Sequence, residues 1–516
     1  MADRPGSFLL RTLTGDQDRF FVASDLLALK IKEKIECIKA KNAQRKPWEM
    51  PIHEKPSLVH LNTHVNYVKR WFRPFVATAH EYIKVQPTGS SNPSFGSPSV
   101  AFNITENSGT FLGDMVLHVQ FNAVGTPAET DTTPADPLAP KYRYCDFPGA
   151  RLLKEVRFNI DGNTICSYNR DNYIRKLPFF TSPSKQTGVF RGLGQELPET
   201  GEYYHSDFDK VQQFSVLEGP QTWKRFQDTL DLWIPLDFWF CWDPLDSFMN
   251  ISANTLQKEV SVDLANLSEI FQVGDVNGTV SADQSGANQL RITKMELYTK
   301  NVFLNKEVED LYINRHEFTT IRTYREQKVN LIVPEDDIKL NQLKYPVEHI
   351  RFSAVPLANN GFTNWYKSHV EELGEIPIPA LIFNGALPPP SLQLVSRTGM
   401  FLRCIKIFER IGFKSSTSNI YNDIDDEFYN IHIPLVAGSK ITTPRDCGLY
   451  MVNFAQKLDQ GNPSGYINLS VDRDFCINYS APTISQTNQM ELIVTAECLQ
   501  ILAFTREGRA IIAYTT

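Results

Sequence analysis

The stretch LDLWIPLDFWFCWDPLDSFMN, residues 230–250, concentrates aromatic side chains in a short length of chain. In an extended strand alternate residues point to opposite sides, so Trp233 and Trp239 would share one side and Phe238 and Phe240 the other. Apolar side chains on both sides are typical of a strand buried between two layers. The residues that we expect to pack in a core and at a domain or subunit interface are Trp233, Pro235, Leu236, Phe238, Trp239 and Phe240. The alternative is a solvent-facing platform for a ligand such as a sugar, which would need polar partners beside the rings.

The length and composition of the chain bound its class. Its length of 516 residues is greater than that of a domain with one ordinary hydrophobic core. It suggests two to four domains, or two large ones. Hydrophobic residues make up 42% and charged residues 22%, which is typical of a soluble globular protein. The 31 prolines, 33 phenylalanines and 19 tyrosines favour strands joined by proline-marked loops. An all-β fold is therefore the first expectation.

The net charge of −7 disfavours a surface that lies against nucleic acid phosphates, so we expect no direct nucleic acid binding. The start of the chain, MADRPGSFLLRTLTGD, lacks the features of a signal peptide, and no apolar run is long enough to span a bilayer. We therefore expect synthesis and residence in the cytosol. The eight cysteines have no metal-like spacing, which predicts mostly buried thiols.

From Leu58 onward, short alternating or apolar runs are separated by stretches rich in Pro, Gly, Ser and Thr. This spacing is typical of β-sandwiches. A polar, glycine-bearing stretch interrupts the pattern near the middle of the chain. We therefore predict an N-terminal arm at residues 1–55, a first sandwich at 56–272, a linker at 273–288 and a second sandwich at 289–516.

Two short internal similarities support two copies of one fold. Val156-Arg157-Phe158 in the first half resembles Ile350-Arg351-Phe352 in the second. Trp233-Ile234-Pro235-Leu236 resembles His432-Ile433-Pro434-Leu435. Together with similar numbers of strand-like runs in the two halves, they favour a tandem repeat of one sandwich.

The pattern of apolar and basic residues at 24–46 predicts an amphipathic helix in the N-terminal arm. Leu27, Ile31 and Ile35 recur at helical spacing, and lysines such as Lys32 and Lys39 fill the other face. The helix is either docked with a solvated basic face or a basic arm that contacts an anionic partner.

The chain contains no recognisable catalytic pattern. It has no H-E-x-x-H metal motif, no G-x-S-x-G nucleophile motif and no locally arranged Cys/His pair. We therefore expect no enzyme activity, no cofactor and no metal. The alternative is an enzyme site whose carboxylates come together from distant strands, as in all-β glycosidases. The local spacing of residues does not test this alternative.

Several longer segments resemble one known family. They are WIPLDFWF at residues 233–240, NISANTLQKEVSVDL at 250–264, YCDFPGARLLKEVRFNIDGN at 144–163 and ELIVTAECLQILAFTREGRAIIAYTT at 491–516. They resemble the double jelly-roll major capsid proteins of large icosahedral double-stranded DNA viruses, in particular the hexon proteins of African swine fever virus and its relatives. The resemblance runs in order from Leu58 to Thr516.

The resemblance implies a double jelly roll, with two tandem eight-stranded jelly rolls, short helices in the loops and an N-terminal helical arm. It also implies a homotrimer with six jelly rolls, which forms a pseudo-hexagonal capsomer and contacts neighbouring capsomers. Assembly would take place in a viral factory of the host cytoplasm. In this interpretation residues 24–46 contact minor capsid or cement proteins on the inner side, near a possible internal membrane, through Leu27, Ile31, Ile35, Lys32 and Lys39.

Two other functions remain open on the sequence alone. One is a jelly-roll carbohydrate-binding protein or glycoside hydrolase, since sandwiches carry both activities. The other is a minor capsid protein of the same kind of virus.

Overall fold

The computed structural model describes residues 36, 39–41 and 43 and most residues between 78 and 513. The stretches left out between 78 and 513 are 90–91, 105–108, 126–138, 196–198, 206–209, 217–218, 242–246, 250–255, 276–277, 305–317, 378–397, 416–417, 459–462, 471–473 and 505–509. The chain divides into a compact unit of residues 1–79, 303–319 and 515 and a larger one of 80–302, 320–514 and 516. The sheets described below belong almost entirely to the larger unit.

Strands dominate the described chain. The strands before residue 305 are β1 (Thr78–Val85), β2 (Val100–Ile104), β3 (Phe111–Phe121), β4 (Val124–Gly125), β5 (Lys141–Tyr144), β6 (Leu153–Ile160), β7 (Asn163–Asn169), β8 (Glu199–His205), β9 (Lys210–Val216), β10 (Phe226–Gln227), β11 (Leu230–Pro235), β12 (Phe248–Met249), β13 (Lys258–Leu264), β14 (Phe271–Gly274) and β15 (Ile292–Leu304). The later strands are β16 (Phe318–Leu331), β17 (Glu335–Lys339), β18 (Pro346–Pro356), β19 (Val370–Pro377), β20 (Thr398–Ile405), β21 (Arg410–Ser415), β22 (Ser418–Asp425), β23 (Tyr450–Asn453), β24 (Ile467–Asn468), β25 (Cys476–Ser480), β26 (Met490–Phe504) and β27 (Ala510–Ala513).

The helices described between residues 78 and 513 are short and lie between strands. They are α1 (Pro148–Leu152), α2 (Arg170–Phe180), α3 (Pro183–Gly192), α4 (Leu267–Ile270) and α5 (Ile433–Ala437), with 3₁₀ turns at Ser285–Gln289 and Leu357–Asn360 and a π-helical turn at Phe428–His432. No helix among the described residues is long and apolar enough to cross a membrane.

Two antiparallel sheets form the first sandwich. Sheet A has the strand order β1-β15-β3-β11, with β12 paired to β3, and sheet B has the order β2-β13-β6-β7. Alternation in β6 and β13 places residues such as Val156, Phe158 and Val260 in one buried core with Leu117 of β3. The hairpin between β6 and β7 turns at Asp161 and Gly162, both at positive φ, as the two-residue Asp-Gly turn requires.

The second sandwich repeats this arrangement. Sheet C has the order β16-β26-β18-β23, with β24 and β27 at its sides, and sheet D has the order β17-β25-β21-β22. A second core lies between them and includes Ile350 and Phe352 of β18 and Phe413 of β21. Every residue of β18 is buried, because the core covers one side of this strand and other parts of the chain cover the opposite side.

The two sandwiches have the same topology. Eight strands of each are numbered in chain order, β1, β2, β3, β6, β7, β11, β13 and β15 in the first, and β16, β17, β18, β21, β22, β23, β25 and β26 in the second. One sheet then has the order 1-8-3-6 and the other 2-7-4-5 in both cases. This is the jelly-roll arrangement of two four-stranded sheets. The prediction of two tandem eight-stranded jelly rolls with short helices in the loops is confirmed, and we call them the first roll and the second roll.

The predicted domain boundary does not follow this topology. The predicted linker, residues 273–288, is followed by β15, but β15 is hydrogen-bonded to β3 as the eighth strand of the first roll. A boundary at 273–288 would separate two paired strands. We therefore propose that the boundary lies between β15 and β16.

The two short internal similarities also do not mark equivalent positions. Val156-Arg157-Phe158 lies in the fourth strand of the first roll, whereas Ile350-Arg351-Phe352 lies in the third strand of the second. Residues 233–235 lie in β11, whereas residues 433–435 lie in α5. The two rolls do share one topology, but these similarities lie at non-equivalent positions and do not reflect it.

Candidate functional site

The segment from Leu230 to Phe240 begins as a strand with only one buried side. In β11, Leu232 and Ile234 are buried in the first core, whereas Trp233 is 45% exposed. In the single chain β11 is therefore buried on one side only, and packing of Trp233 at a domain or subunit interface stays a prediction. Because β11 is an edge strand of sheet A, the first core covers only its inner side.

After Pro235 the chain leaves the strand and its aromatic residues turn into the first core. Phe238, Trp239 and Phe240 are all buried. Their ring centroids lie 5.5, 5.8 and 5.3 Å from that of Phe158 on β6. Leu236 belongs to the same cluster. These residues seal the first roll from within, and a role for them at a domain or subunit interface stays a prediction.

Asp237, directly before these aromatic residues, connects the two rolls. The Lys176 ammonium on α2 donates to its Oδ1 atom at 2.9 Å, and the Tyr324 hydroxyl on β16 donates to its Oδ2 atom at 2.9 Å. Its backbone N–H donates to the Tyr168 hydroxyl at 3.0 Å. Asp237 is almost completely buried. A buried carboxylate needs such charged and polar partners, so Asp237 holds first-roll and second-roll residues in a defined arrangement.

The helix α2 packs against the outer face of sheet C. Its N-terminus is capped by Asn169, whose side chain accepts a hydrogen bond from the Asn172 backbone N–H at 2.8 Å. The Arg351 guanidinium on β18 donates to the Asn172 side-chain oxygen at 2.7 Å. The Phe180 ring lies 5.7 Å from the ring of His349, which is on the same strand as Arg351. The first roll therefore covers the side of β18 that faces away from the second core.

Glu497 on β26 lies among the positive charges of this contact. Its carboxylate is 3.7 Å from the Lys176 ammonium and 4.0 Å from the Arg322 guanidinium. Burial acts to raise the pKa of Glu497, but the charges of Lys176 and the neighbouring basic residues outweigh it and lower the pKa to about 2. Burial lowers the pKa of His349 to about 3, although Glu497 opposes this shift. At neutral pH Glu497 is therefore charged and His349 neutral.

A loop of the second roll makes a further contact with the first. The indole N–H of Trp365 donates to the Asp146 carbonyl at 2.7 Å, and the Arg151 guanidinium donates to the Phe362 carbonyl at 2.6 Å. Trp365 is buried in the first core. These bonds join the loop that follows β18 to the segment around α1.

The polar residues of this contact are not apparent from the sequence. Lys176 and Asp237 lie inside the apolar runs KLPFF and IPLDFWF, and a charge in such a run was the available signal. Because Lys176 and Asp237 are far apart in the sequence, the sequence does not show that their side chains contact each other.

The outer face of sheet A carries Trp233 within an aromatic group. The Trp233 ring stacks on His118 with a centroid distance of 4.1 Å and an angle of 16°, and lies 5.4 Å from Tyr298. His118 Nε2 lies 3.2 Å from the Asp231 carboxylate. Tyr82 on β1 is a further exposed aromatic residue on this face. The face has the composition of a protein contact surface, with aromatic rings beside a few charges.

The N-terminal arm lies mostly outside the described residues. This holds for Leu27, Ile31, Lys32 and Ile35. Lys39 is described, and it is helical and exposed. The role of the arm stays a prediction.

Within the described part of the chain, no group of three or more His, Cys, Asp or Glu side chains could hold a metal ion. Among the described cysteines, Cys145, Cys166 and Cys498 are buried thiols, whereas Cys241, Cys447 and Cys476 are partly buried, so the expectation of mostly buried thiols holds for half of them. The expectations of no enzyme activity and no cofactor stay predictions.

Comparison with protein families gives one match for the first roll. The family described as "Major capsid protein N-terminus" matches residues 69–305. The match ends just after β15, in agreement with a boundary between β15 and β16.

Curated relatives match over the whole chain or over part of it. The hexon protein p72 of African swine fever virus (strain Badajoz 1971 Vero-adapted) is 24% identical, and the match covers 99% of this chain and 99% of the relative. The major capsid protein of Phaeocystis pouchetii virus is 24% identical over 42% of each chain.

Solved structures have the same fold. The Faustovirus major capsid protein has a TM-score of 0.72 and 24% identity, with 95% of this chain and 99% of the other covered. The capsid of PBCV-1 virus gives a TM-score of 0.59 at 16% identity, with 87% and 99% covered. Together with the paired rolls, these matches identify the chain as a homologue of the major capsid, or hexon, proteins of large DNA viruses.

Proposed function

We propose that the chain forms homotrimeric, pseudo-hexagonal capsomers that tile the icosahedral shell of a large double-stranded DNA virus. The observation that carries this proposal is the identical strand order of the two rolls. Three copies around a threefold axis would place six rolls of one topology in a ring, which gives six similar edges from one chain. Many weak contacts between such blocks hold a shell together, because each block has several neighbours.

The contact between the two rolls supports this role. The groups around Asp237 and Glu497 are buried and charged, and such groups contribute more to a defined geometry than to net stability. A block that must fit a regular net needs its two rolls at a fixed angle. The buried contact supplies that constraint in each chain.

The remaining partners are proposals of the same kind. Capsomers would contact neighbouring capsomers through their edges. The arm, through residues such as Leu27, Ile31 and Lys39, would contact minor capsid or cement proteins on the inner side, near a possible internal membrane. Assembly would occur in the host cytoplasm, and the net charge of −7 favours no direct contact with the genome.

Electron microscopy of the purified chain in negative stain tests the capsomer. We expect particles with threefold symmetry and a hexagonal outline, and a mass three times 58.8 kDa in sedimentation equilibrium. Particles that stay monomeric at micromolar concentration would contradict the proposal. Deleting residues 1–45 should leave these trimers intact and impair shell closure.

A further inference from the structure

One pair of segments is equivalent in the two rolls. Residues 170–181, RDNYIRKLPFFT, directly follow the fifth strand of the first roll, and residues 426–437, DEFYNIHIPLVA, directly follow the fifth strand of the second. Both segments are helical over most of their length. Aligned without gaps, Tyr173 corresponds to Tyr429 and Pro178 to Pro434. We call them the first helical segment and the second helical segment.

In the first roll the outward side of this segment is covered. Asn172, Arg175 and Lys176 are buried although they are polar, and Phe179 is completely buried. The polar residues are covered by the outer face of sheet C, which contributes Arg351 to Asn172 and Tyr324 and Glu497 to Lys176. Phe179 packs in an apolar cluster with Met451 of sheet C and with Ile433 and Ala437 of the second helical segment.

The corresponding positions of the second helical segment are exposed. Ile431, Leu435 and Val436, which align with Arg175, Phe179 and Phe180, are 48%, 70% and 54% exposed. Large aliphatic side chains on adjacent turns of one segment form an apolar patch, and such patches on a folded chain mark contact sites. The second roll therefore presents the same element as the first, but no sheet of the described residues covers Ile431, Leu435 and Val436.

The outer face of sheet A resembles the outer face of sheet C, which covers the first helical segment. In sheet C the third and eighth strands pair His349 with Glu497, and in sheet A the third and eighth strands pair His118 with Glu296. Both pairs lie on the outer faces of their sheets, since the neighbouring residues on each strand fill the cores. The outer face of sheet C is covered by the first helical segment. The outer face of sheet A is open at Trp233 and Tyr82.

We propose that the second helical segment of one chain docks on the outer face of sheet A of a second copy, and so repeats between chains the contact that joins the rolls within a chain. This deepens the proposed homotrimer and rests on it. The contact is head-to-tail, because two different surfaces meet, and such contacts form a ring when the rotation closes. Apolar residues Leu435 and Val436 would cover Trp233, and three copies would bury three such contacts.

The variant Leu435→Glu tests the helical side of the contact. Leu435 is exposed in the single chain, so we expect unchanged circular dichroism and an unchanged thermal midpoint. In the contact the glutamate would lie against the Trp233 ring and lose its water, so the trimer dissociation constant should rise by roughly 100-fold or more. Sedimentation velocity over a dilution series measures this change. Ile332→Glu is the control, because Ile332 is equally apolar and 45% exposed but lies outside both surfaces.

The variant Trp233→Lys tests the sheet side, with the same expected loss of trimers. If Trp233→Lys lowers the thermal midpoint, Tyr82→Lys on the same face is used in its place. The double variant Leu435→Glu/Trp233→Lys would bring opposite charges together across the contact. We expect it to recover part of the affinity that each single variant loses.

The outcomes separate the two proposals. A wild-type chain that forms no trimers overturns the homotrimer and this contact together. Wild-type trimers that persist in Leu435→Glu, Trp233→Lys and Tyr82→Lys overturn this contact and leave the homotrimer standing. Loss of trimers in both single variants with no recovery in the double variant means that the two surfaces do not face each other, which also overturns the contact.

Discussion

At the scale of single residues, the contact between the rolls depends on buried charges that balance one another. Lys176 is the common partner of Asp237 and Glu497, and all three side chains are at least nine-tenths buried. An uncompensated charge in such surroundings is unfavourable by several kcal/mol, because water no longer solvates it. The contact is therefore sensitive to the loss of any one partner.

Lys176→Met removes the shared cation and leaves two buried carboxylates. We expect the free energy of unfolding to fall by about 3–5 kcal/mol. The control is Lys339→Met, which breaks an exposed pair with Asp474 of the same 2.9 Å length and should change stability by less than about 1 kcal/mol. Urea unfolding followed by circular dichroism measures both variants. Equal effects of the two substitutions would contradict this account of the contact.

The same cluster predicts sensitivity to acid. The pKa of His349 is lowered to about 3, below its ordinary value of 6.5, so the unfolded chain binds the proton first as the pH falls. The stability that comes from neutral His349 is complete above pH 6.5 and decreases as the pH falls toward 3. Glu497, with its pKa lowered to about 2 from 4.5, loses its contribution below about pH 4.5.

We therefore expect the thermal midpoint to fall between pH 6.5 and pH 4.5 in a way that requires His349. His349→Gln should make the midpoint less dependent on pH in this range, whatever its effect at pH 7. His80→Gln, at an exposed position of β1, is the control and should keep the wild-type slope. A wild-type slope in His349→Gln would show that other groups govern the acid response.

At the scale of elements, α2 is the part of the first roll that reaches the second. Its helical start depends on Asn169, which caps the first turn and also donates to Glu326 of β16 at 2.9 Å. Its own sequence favours a helix only weakly, because Pro178 lies inside it. Most of its residues are buried against the rest of the chain. Packing against sheet C stabilises it more than its own sequence does.

Asn169→Ala should lower the free energy of unfolding by about 1 kcal/mol through the lost cap, and by more if the bond to Glu326 contributes. Asn169→Ser keeps a capping oxygen and loses only the bond to Glu326, so it separates the two effects. Thermal unfolding of the three chains gives the comparison. An alanine variant as stable as the wild type would mean that tertiary packing alone holds the helix.

At the scale of the molecule, the described residues join the two cores through the polar contact, through the loop after β18 and through a third apolar cluster, in which Phe179 of α2 packs against second-roll residues such as Ile433 and Met451. The first core includes Trp239 and Trp365, whereas the second includes Phe352, whose ring lies 5.3 Å from that of Tyr450. Because the charges of the contact are buried only while both rolls are folded, the unfolding of one roll exposes them and weakens the other. We expect the rolls to unfold together.

Phe352→Ala tests this coupling because it leaves a cavity in the second core and should lower stability by about 3–5 kcal/mol. Tryptophan fluorescence, to which Trp239 and Trp365 contribute from the first core, should shift to lower urea concentration together with the circular dichroism signal. Phe158→Ala is the matched change in the first core. A fluorescence transition that stays in place in Phe352→Ala would mean that the rolls unfold independently.

The sequence by itself determined the all-β class, the two halves and the family resemblance, because alternating patterns, loop composition and long motifs are local properties of a chain. It also indicated that Phe238, Trp239 and Phe240 are buried, since a run of large aromatic side chains is usually packed in a core. It did not determine the end of β11 at Pro235 or the exposure of Trp233.

Only the tertiary structure decided which strands pair and which charges meet. It assigned β15 to the first roll, although the polar stretch before this strand indicated a boundary, because hydrogen bonding to β3 depends on contacts far apart in the chain. It brought Lys176, Asp237 and Tyr324 together across both rolls. The equivalence of residues 170–181 and 426–437 also became visible only through their places after the fifth strands, because two identical residues in twelve are too few for the sequence to reveal.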